Sequence, residues 1–174
     1  PYSIATLASY ALADPEISDN FSFDKVFLFR DDVEKDAQSC IDSDFLLCSC
    51  YSWNWVITTM LAKRVKELNP DCQIVFGGPE VPDLAAGFFE TYPFVDIIAH
   101  GEGEITLHEI LKSKLKQSNL SKIDGIETRD FKTLPRERIS DLNIIPSPYT
   151  SGLMWDFVEK DNGFNYVATW ETNR

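Results

Sequence analysis

The chain has 174 residues, 25% of them charged, with a formal net charge of −12 and a pI near 4.5. That length holds one ordinary domain plus a tail. The acidic balance argues against nucleic acid or an anionic membrane surface as partner, since both require a basic face. No apolar stretch approaches the roughly 20 residues that span a bilayer, and no basic segment followed by an apolar one opens the chain as an export signal does.

Ile4, Leu7, Ala8, Ala11 and Leu12 recur at helical spacing, so the chain is predicted to open in an amphipathic helix, with Pro1 at its start and Asp14-Pro15 as its stop. A strand–helix array ordinarily begins with a strand, and here that places the first strand upstream of Pro1. The apolar runs Val26 to Phe29, Phe45 to Cys48, Ile74 to Phe76 and Ile97 to Ala99 are continuous rather than alternating, as in strands covered on both faces. Between them lie helical stripes: Ile57, Met60, Leu61, Val65 and Leu68, ended by Asn69-Pro70; Leu84, Phe88, Phe89 and Tyr92, with Pro82 in the first turn; and Leu107, Ile110, Leu111 and Leu115.

This alternation predicts an α/β fold with a doubly wound parallel sheet, flavodoxin-like (Rossmann-like), spanning residues 1–130. Residues 131–174 read as a linker and lead-in. Ile123 to Thr128 is a short strand candidate, Pro135, Pro146 and Pro148 mark an extended path, Leu153 to Val158 is a short apolar segment or helix, and Tyr166 to Trp170 a final strand.

Ligands on such sheets sit outside the carboxyl ends of the strands. On that rim fall Ser49 to Trp53, then Gly77-Gly78-Pro79-Glu80, then Gly101-Glu102-Gly103-Glu104. Glycine lets backbone approach a ligand closely, and a helix start beyond it offers free N–H donors. Tyr51, Trp53 and Trp55 cluster past the same strand end, as a ligand platform, a contact with a following domain, or packing at a helix start. Cys40, Cys48, Cys50 and Cys72 form no disulfide framework, and Cys48 and Cys50 are too close for a usual zinc loop. They read as reduced thiols of a cytoplasmic protein.

With the rim in place, the sequence resembles the N-terminal cobalamin-binding domain of cobalamin-dependent radical S-adenosylmethionine enzymes. The resemblance lies in Cys48-Ser49-Cys50-Tyr51-Ser52-Trp53-Asn54, in Ile74-Val75-Phe76-Gly77-Gly78-Pro79-Glu80, in His100-Gly101-Glu102-Gly103-Glu104, and in Pro146-Ser147-Pro148-Tyr149. It implies that the chain holds cobalamin against a C-terminal radical domain of the parent protein, which is methyltransferase-like and binds S-adenosylmethionine and a [4Fe-4S] cluster with residues absent here. It implies cofactor contacts at Ser49, Cys50, Tyr51, Trp53, Gly77, Gly78, Pro79, Glu80, Gly101, Glu102, Gly103 and Glu104. Ser49 lies near the nucleotide tail, Gly77 and Gly78 keep the cleft wall bare, and Glu102 and Glu104 face ligand amides or the helix start. No catalytic residue and no metal ligand is assigned to the fragment.

The D-x-H-x-x-G motif of mutases and methionine synthase is not found. Of the two histidines, His100 reads as a hydrogen-bonded turn residue at the rim and His108 as solvated on its helix. Two other readings stay open. One is the same fold without corrinoid, as a scaffold or substrate-recognition module. The other is a phosphoacceptor or nucleotide-binding regulator using Asp31, Asp32, Glu34 and Asp36, although a solvated helix start explains these acids more simply.

Overall fold

The computed structural model describes residues 2–23, 25–27, 32–157 and 168. In chain order the elements are α1 (Tyr2–Leu12), α2 (Pro15–Ser18), α3 (Val33–Ser39), β1 (Phe45–Ser49), α4 (Trp55–Leu68), β2 (Gln73–Gly77), α5 (Phe88–Thr91), β3 (Ile97–Ala99), α6 (Gly103–Lys116), β4 (Ile126–Glu127) and α7 (Leu153–Asp156). The sheet order is β1-β2-β3-β4, with β1, β2 and β3 parallel.

Side chains alternate across a strand, and that alternation builds two cores. Leu46, Ile74, Phe76 and Ile98 face α3, α4 and α5, where they meet Ala37, Leu61, Ala62, Val65 and Phe88. Phe45, Leu47, Val75, Ile97 and Ala99 face the other way, toward α6 and its Ile110, and Leu107 and Leu111 of α6 join Ala11 of α1 over Phe45 and Leu47. Phe76, 0% exposed, contributes on the order of 2–3 kcal/mol by its burial. Helices on both faces of a mostly parallel sheet make this the doubly wound architecture predicted from the runs.

Local chemistry sets the boundaries. The Asp14 carboxylate accepts from the Glu16 N–H at 2.9 Å, and Pro15 follows in the first turn, so α1 ends and α2 begins at one capped corner. Gln117 closes α6 in the left-handed region, φ 49°, with Ser118 N–H bonding the Ser113 carbonyl at 3.0 Å.

Several expectations change. The sheet is not wholly parallel, because β4 runs antiparallel to β3. The chain climbs back to the rim before pairing, where Gly125 accepts the His100 N–H at 2.8 Å, and β4 then descends. That strand is also shorter than Ile123 to Thr128. The predicted strand from Val26 does not form over Val26 and Phe27: these pack to opposite cores, Val26 against α1 and α7 and Phe27 against the α3–α4 layer, with no ladder partner among the described residues. Leu28 and Phe29 lie outside the described residues. The stripe at Leu84 is no helix either. Gly87, φ 76°, starts α5 late, and Leu84 is 77% exposed. The expected strand from Tyr166 to Trp170 lies outside the described residues apart from Ala168.

The stretch read as a linker is held down through Phe157. The Arg136 guanidinium donates to Thr106 Oγ1 at 2.8 Å, to the Asp124 carbonyl at 3.0 Å and to the Glu109 carboxylate. Beyond it, Met154 and Phe157 bury against Ala5 and Ala8 of α1.

Candidate functional site

The carboxyl ends of β1, β2 and β3 lie in one row, with Ser49 registered on Gly77 and Gly77 on Ala99. By the strand period all three face the α1–α6 layer, on the same side as Leu47, Val75 and Ile97. None carries a group larger than a hydroxymethyl, so the sheet ends in a shallow shelf. A Cβ added at Gly77 meets only Ala99, at 3.5 Å from its carbonyl oxygen and 3.7 Å from its Cβ, which is ordinary contact. The fold therefore does not require glycine there.

Gly78 is different. It adopts φ 99°, and a Cβ there would sit 2.7 Å from the Cys50 carbonyl oxygen and 3.0 Å from the Cys50 nitrogen. The loops after β1 and β2 are laced together at this point: Cys50 N–H donates to the Gly77 carbonyl at 2.7 Å, and Glu80 N–H donates to the Cys50 carbonyl at 3.2 Å. Backbone of the neighbouring loop fills the space that the missing side chain leaves, which gives Gly78 a structural reason of its own. Cys50 is 0% exposed, with its thiol on the Cys48 carbonyl at 3.6 Å, and burial pushes that thiol up to about 12. Pro79 and Glu80 are exposed at the loop tip.

Asn54 braces the loop before α4. Its Oδ1 accepts from Tyr51 N–H at 2.8 Å and its amide donates to the Ser49 carbonyl at 2.9 Å. Held this way, Tyr51 and Trp53 stack at 4.4 Å with rings 16° from parallel, and Trp53 is 65% exposed. They present a flat aromatic face at the rim. Trp55 points inward instead. It sits edge-on to Phe76 and Tyr92, and its indole N–H lies 3.4 Å from the Tyr92 hydroxyl, so it belongs to the core.

The third loop is partly committed to the fold. Glu102 Oε2 accepts the Ile139 N–H at 2.6 Å and so fastens the returning chain. Gly103 faces α1, where an added Cβ would lie 2.9 Å from Leu7 Cδ2, and Glu104 is buried in the first turn of α6. Gly101 is exposed at φ 71° with nothing within 4 Å of an added Cβ. His100 Nε2 lies 3.3 Å from Glu127 Oε2, whose oxygen also pairs with Lys132 at 3.0 Å.

His108 is not solvated as the sequence suggested. Its Nε2 bonds Asp14 at 2.8 Å beneath the Tyr10 ring, because α6 packs on the α1–α2 corner. Of the acids considered for a phosphoacceptor pocket, Asp32 caps α3 through Glu34 N–H at 2.9 Å, and Glu34 pairs twice with Arg64, at 2.7 and 2.8 Å. Asp31 lies outside the described residues. Among the described residues there is no group of three or more metal-ligating side chains.

Sequence reasoning missed Ser3, whose Oγ lies 3.5 Å from Ser49 Oγ, and the Arg136–Ile139 strap. Nothing local in the sequence marks either contact, since the partners are far apart along the chain. Asn54 was detectable as an Asn immediately before a helix start.

The chain is 35% identical over 181 aligned positions to the cobalamin-dependent radical SAM methyltransferase TokK of Streptomyces tokunonensis, covering 100% of this chain and 27% of the relative. The chain corresponds to the N-terminal portion of cobalamin-dependent radical S-adenosylmethionine methyltransferases. A second relative, 2-(S-pantetheinyl)-carbapenam-3-carboxylate methyltransferase of Streptantibioticus cattleyicolor, is 34% identical over the same 100% of this chain and 27% of its own length. The chain thus spans about a quarter of the relatives it matches. The fold aligns with the solved radical S-adenosylmethionine methyltransferase TsrM from Kitasatospora setae, with a TM-score of 0.61 at 17% identity, over 79% of this chain and 28% of that one. No protein-family model matches the chain. Among the described residues no helix is long and apolar enough to cross a membrane.

Proposed function

We propose that this chain binds cobalamin at the carboxyl rim of its sheet and holds the corrin against a C-terminal radical domain in the parent protein. The observation that carries the reading is the shelf Ser49–Gly77–Ala99 beside the exposed Tyr51–Trp53 stack. A corrinoid needs a broad apolar platform for the ring and a narrow space for the nucleotide tail. The aromatic stack has the shape of the first and the shelf beneath α1 and α6 that of the second. Hydrogen-bond donors and acceptors line the path: the Ser49 hydroxyl at its head, and the open Gly101 turn where ligand amides can approach backbone. Pro79, Glu80, Glu102, Gly103 and Glu104 shape the loops around it. Gly78 and Cys50 serve the site by fixing the β1–β2 junction.

When bound, cobalamin supplies cobalt-centred group transfer, and this chain's part is to bind, orient and shield it. S-adenosylmethionine and a [4Fe-4S] cluster belong, on this reading, to the downstream domain, with residues 131–174 leading toward it. The reaction there is a methyl transfer, in keeping with the names of the relatives. Unpaired Cys40, Cys48, Cys50 and Cys72 fit a reducing cytoplasm.

Titration with hydroxocobalamin, followed by visible absorption and co-elution on gel filtration, tests the reading. Stoichiometric retention is the expected result. A chain that folds and retains no corrinoid, alone or with its downstream domain, supports the scaffold alternative instead.

A further inference from the structure

We infer that Asn54 is a positioning residue of the cofactor site: its side-chain amide holds the Tyr51–Trp53 stack in the orientation that meets the corrin, so that cobalamin affinity depends on a residue that does not itself touch the ligand. The inference deepens the cobalamin reading above and rests on it.

An asparagine just ahead of a helix ordinarily turns its side chain forward and accepts an N–H of the first turn. Asn54 precedes α4 and makes no such bond, and its backbone sits at φ −113°, ψ −2° rather than in the extended conformation of a cap. The side chain reaches backward instead. Its Oδ1 accepts the Tyr51 N–H at 2.8 Å and its amide donates to the Ser49 carbonyl at 2.9 Å. The Asn54 N–H returns to the Tyr51 carbonyl at 3.1 Å, so Tyr51 is held at both of its backbone polar groups. Between them, Cys50 bonds Gly77 through its N–H and Glu80 through its carbonyl. Every backbone polar group from the Ser49 carbonyl to the Tyr51 carbonyl is therefore bonded, and Asn54 makes three of those five bonds.

Burial does not explain the arrangement. Trp53 is 65% exposed, with its ring 4.4 Å from that of Tyr51 and 16° from parallel. Exposed aromatic side chains on a loose loop sample many orientations, and a ligand that needs a flat face must order them as it binds. A loop already fixed as far as Tyr51 removes much of that cost. The other end of α4 offers a matched comparison. Asn69 closes the helix, donates its amide to the Ser43 carbonyl at 3.0 Å and accepts the Asp71 N–H at 3.2 Å. Both asparagines thus tie an end of α4 to the chain flanking β1 by one donated and one accepted side-chain bond. Asn69 does so at the amino end of the sheet, away from the rim, and Asn54 does so beneath the aromatic pair.

The test titrates hydroxocobalamin against the unaltered chain, Asn54→Ala, Asn54→Asp and Asn69→Ala. Each is also followed by urea unfolding and by near-UV circular dichroism in the band that Trp53→Phe removes. Both alanine variants should lose stability by similar amounts. Only Asn54→Ala should bind hydroxocobalamin about tenfold more weakly and lose the band. Asn54→Asp keeps an acceptor for the Tyr51 N–H but turns a carboxylate oxygen toward the Ser49 carbonyl, so it should bind weakly at about pH 8. The facing carbonyl favours the neutral acid, and binding should recover toward about pH 5 as the carboxyl takes up the proton that restores the donor. The unaltered chain should show no such recovery, and Asn54→Asp carries the test if Asn54→Ala does not fold. Undiminished affinity in Asn54→Ala, equal losses in Asn54→Ala and Asn69→Ala, or no recovery of Asn54→Asp in acid overturns the role of Asn54 and leaves the cofactor reading standing. If the unaltered chain, alone or with its downstream domain, binds no corrinoid, the cofactor reading itself fails and this role with it.

Discussion

The two flanks of the β1 carboxyl end are built on opposite principles. On the β2 side, two loops share backbone hydrogen bonds at 2.7 and 3.2 Å, and the residue facing the junction has to be glycine. On the α1 side, two hydroxyls approach to 3.5 Å and the contacts are made by side chains. The first flank is fixed by backbone, and the second is joined through side chains. Glycines in a ligand-associated motif therefore divide by what occupies the place of their missing side chain. At Gly78 it is the protein's own backbone, and at Gly77 only an ordinary contact with Ala99.

The comparison is broken most directly at Gly78. Gly78→Ala combines a left-handed φ with a backbone clash and should destabilise the chain by about 3 kcal/mol in urea unfolding, with or without corrinoid. Stability within error of the unaltered chain would show that the junction is not locked.

The same flank should weaken in alkali. Burial raises the Cys50 thiol from an ordinary 9.0 to about 12, so the folded state keeps a proton that the unfolded state releases. That contribution is complete below about pH 9 and is lost as pH rises toward 12. Cys50→Ser, whose hydroxyl does not titrate there, should shrink the alkaline fall and leave the share of Cys40, Cys48 and Cys72, whose thiols burial also raises, and a fall of unchanged size in that variant would assign it elsewhere.

The α1 flank should weaken in acid. Hydrogen bonds from Lys112, then His108, then the Glu16 N–H hold the Asp14 carboxyl well below its ordinary 3.8. Its contribution is present above about pH 4 and is lost as pH falls through the depressed value. Amide exchange along α1 should speed up in acid before exchange in β2 does, and Asp14→Asn should remove that difference.

Smallest in stability and most telling for function is Gly77→Ala. The added methyl should change unfolding by no more than about 0.5 kcal/mol yet lower cobalamin affinity about tenfold by filling the shelf.

Much of this was readable from residue order. The stripes of α4 and α6 and the apolar runs of β1, β2 and β3 carry their own periodicity, and loops at strand ends follow from alternation. What was not readable depends on contacts between distant residues. Gly77 and Gly78 look alike in sequence, and only the Cys50 backbone separates their roles. Leu84 fits a helical stripe, but Gly87 delays the helix and leaves it exposed. Val26 belongs to an apolar run, yet its burial comes from α1 and α7 rather than a strand neighbour. The bond from the Ile139 N–H to the Glu102 carboxylate joins residues 37 positions apart and has no local signal.

The central claim is that the Ser49–Gly77–Ala99 shelf receives part of a corrinoid, and a paired hydroxocobalamin titration of the unaltered chain and Gly77→Ala tests it. The account predicts stoichiometric binding by the first, about tenfold weaker binding by the second, and superimposable unfolding curves. Equal affinity in the two, with unfolding unchanged, would contradict it and move the tail away from the shelf.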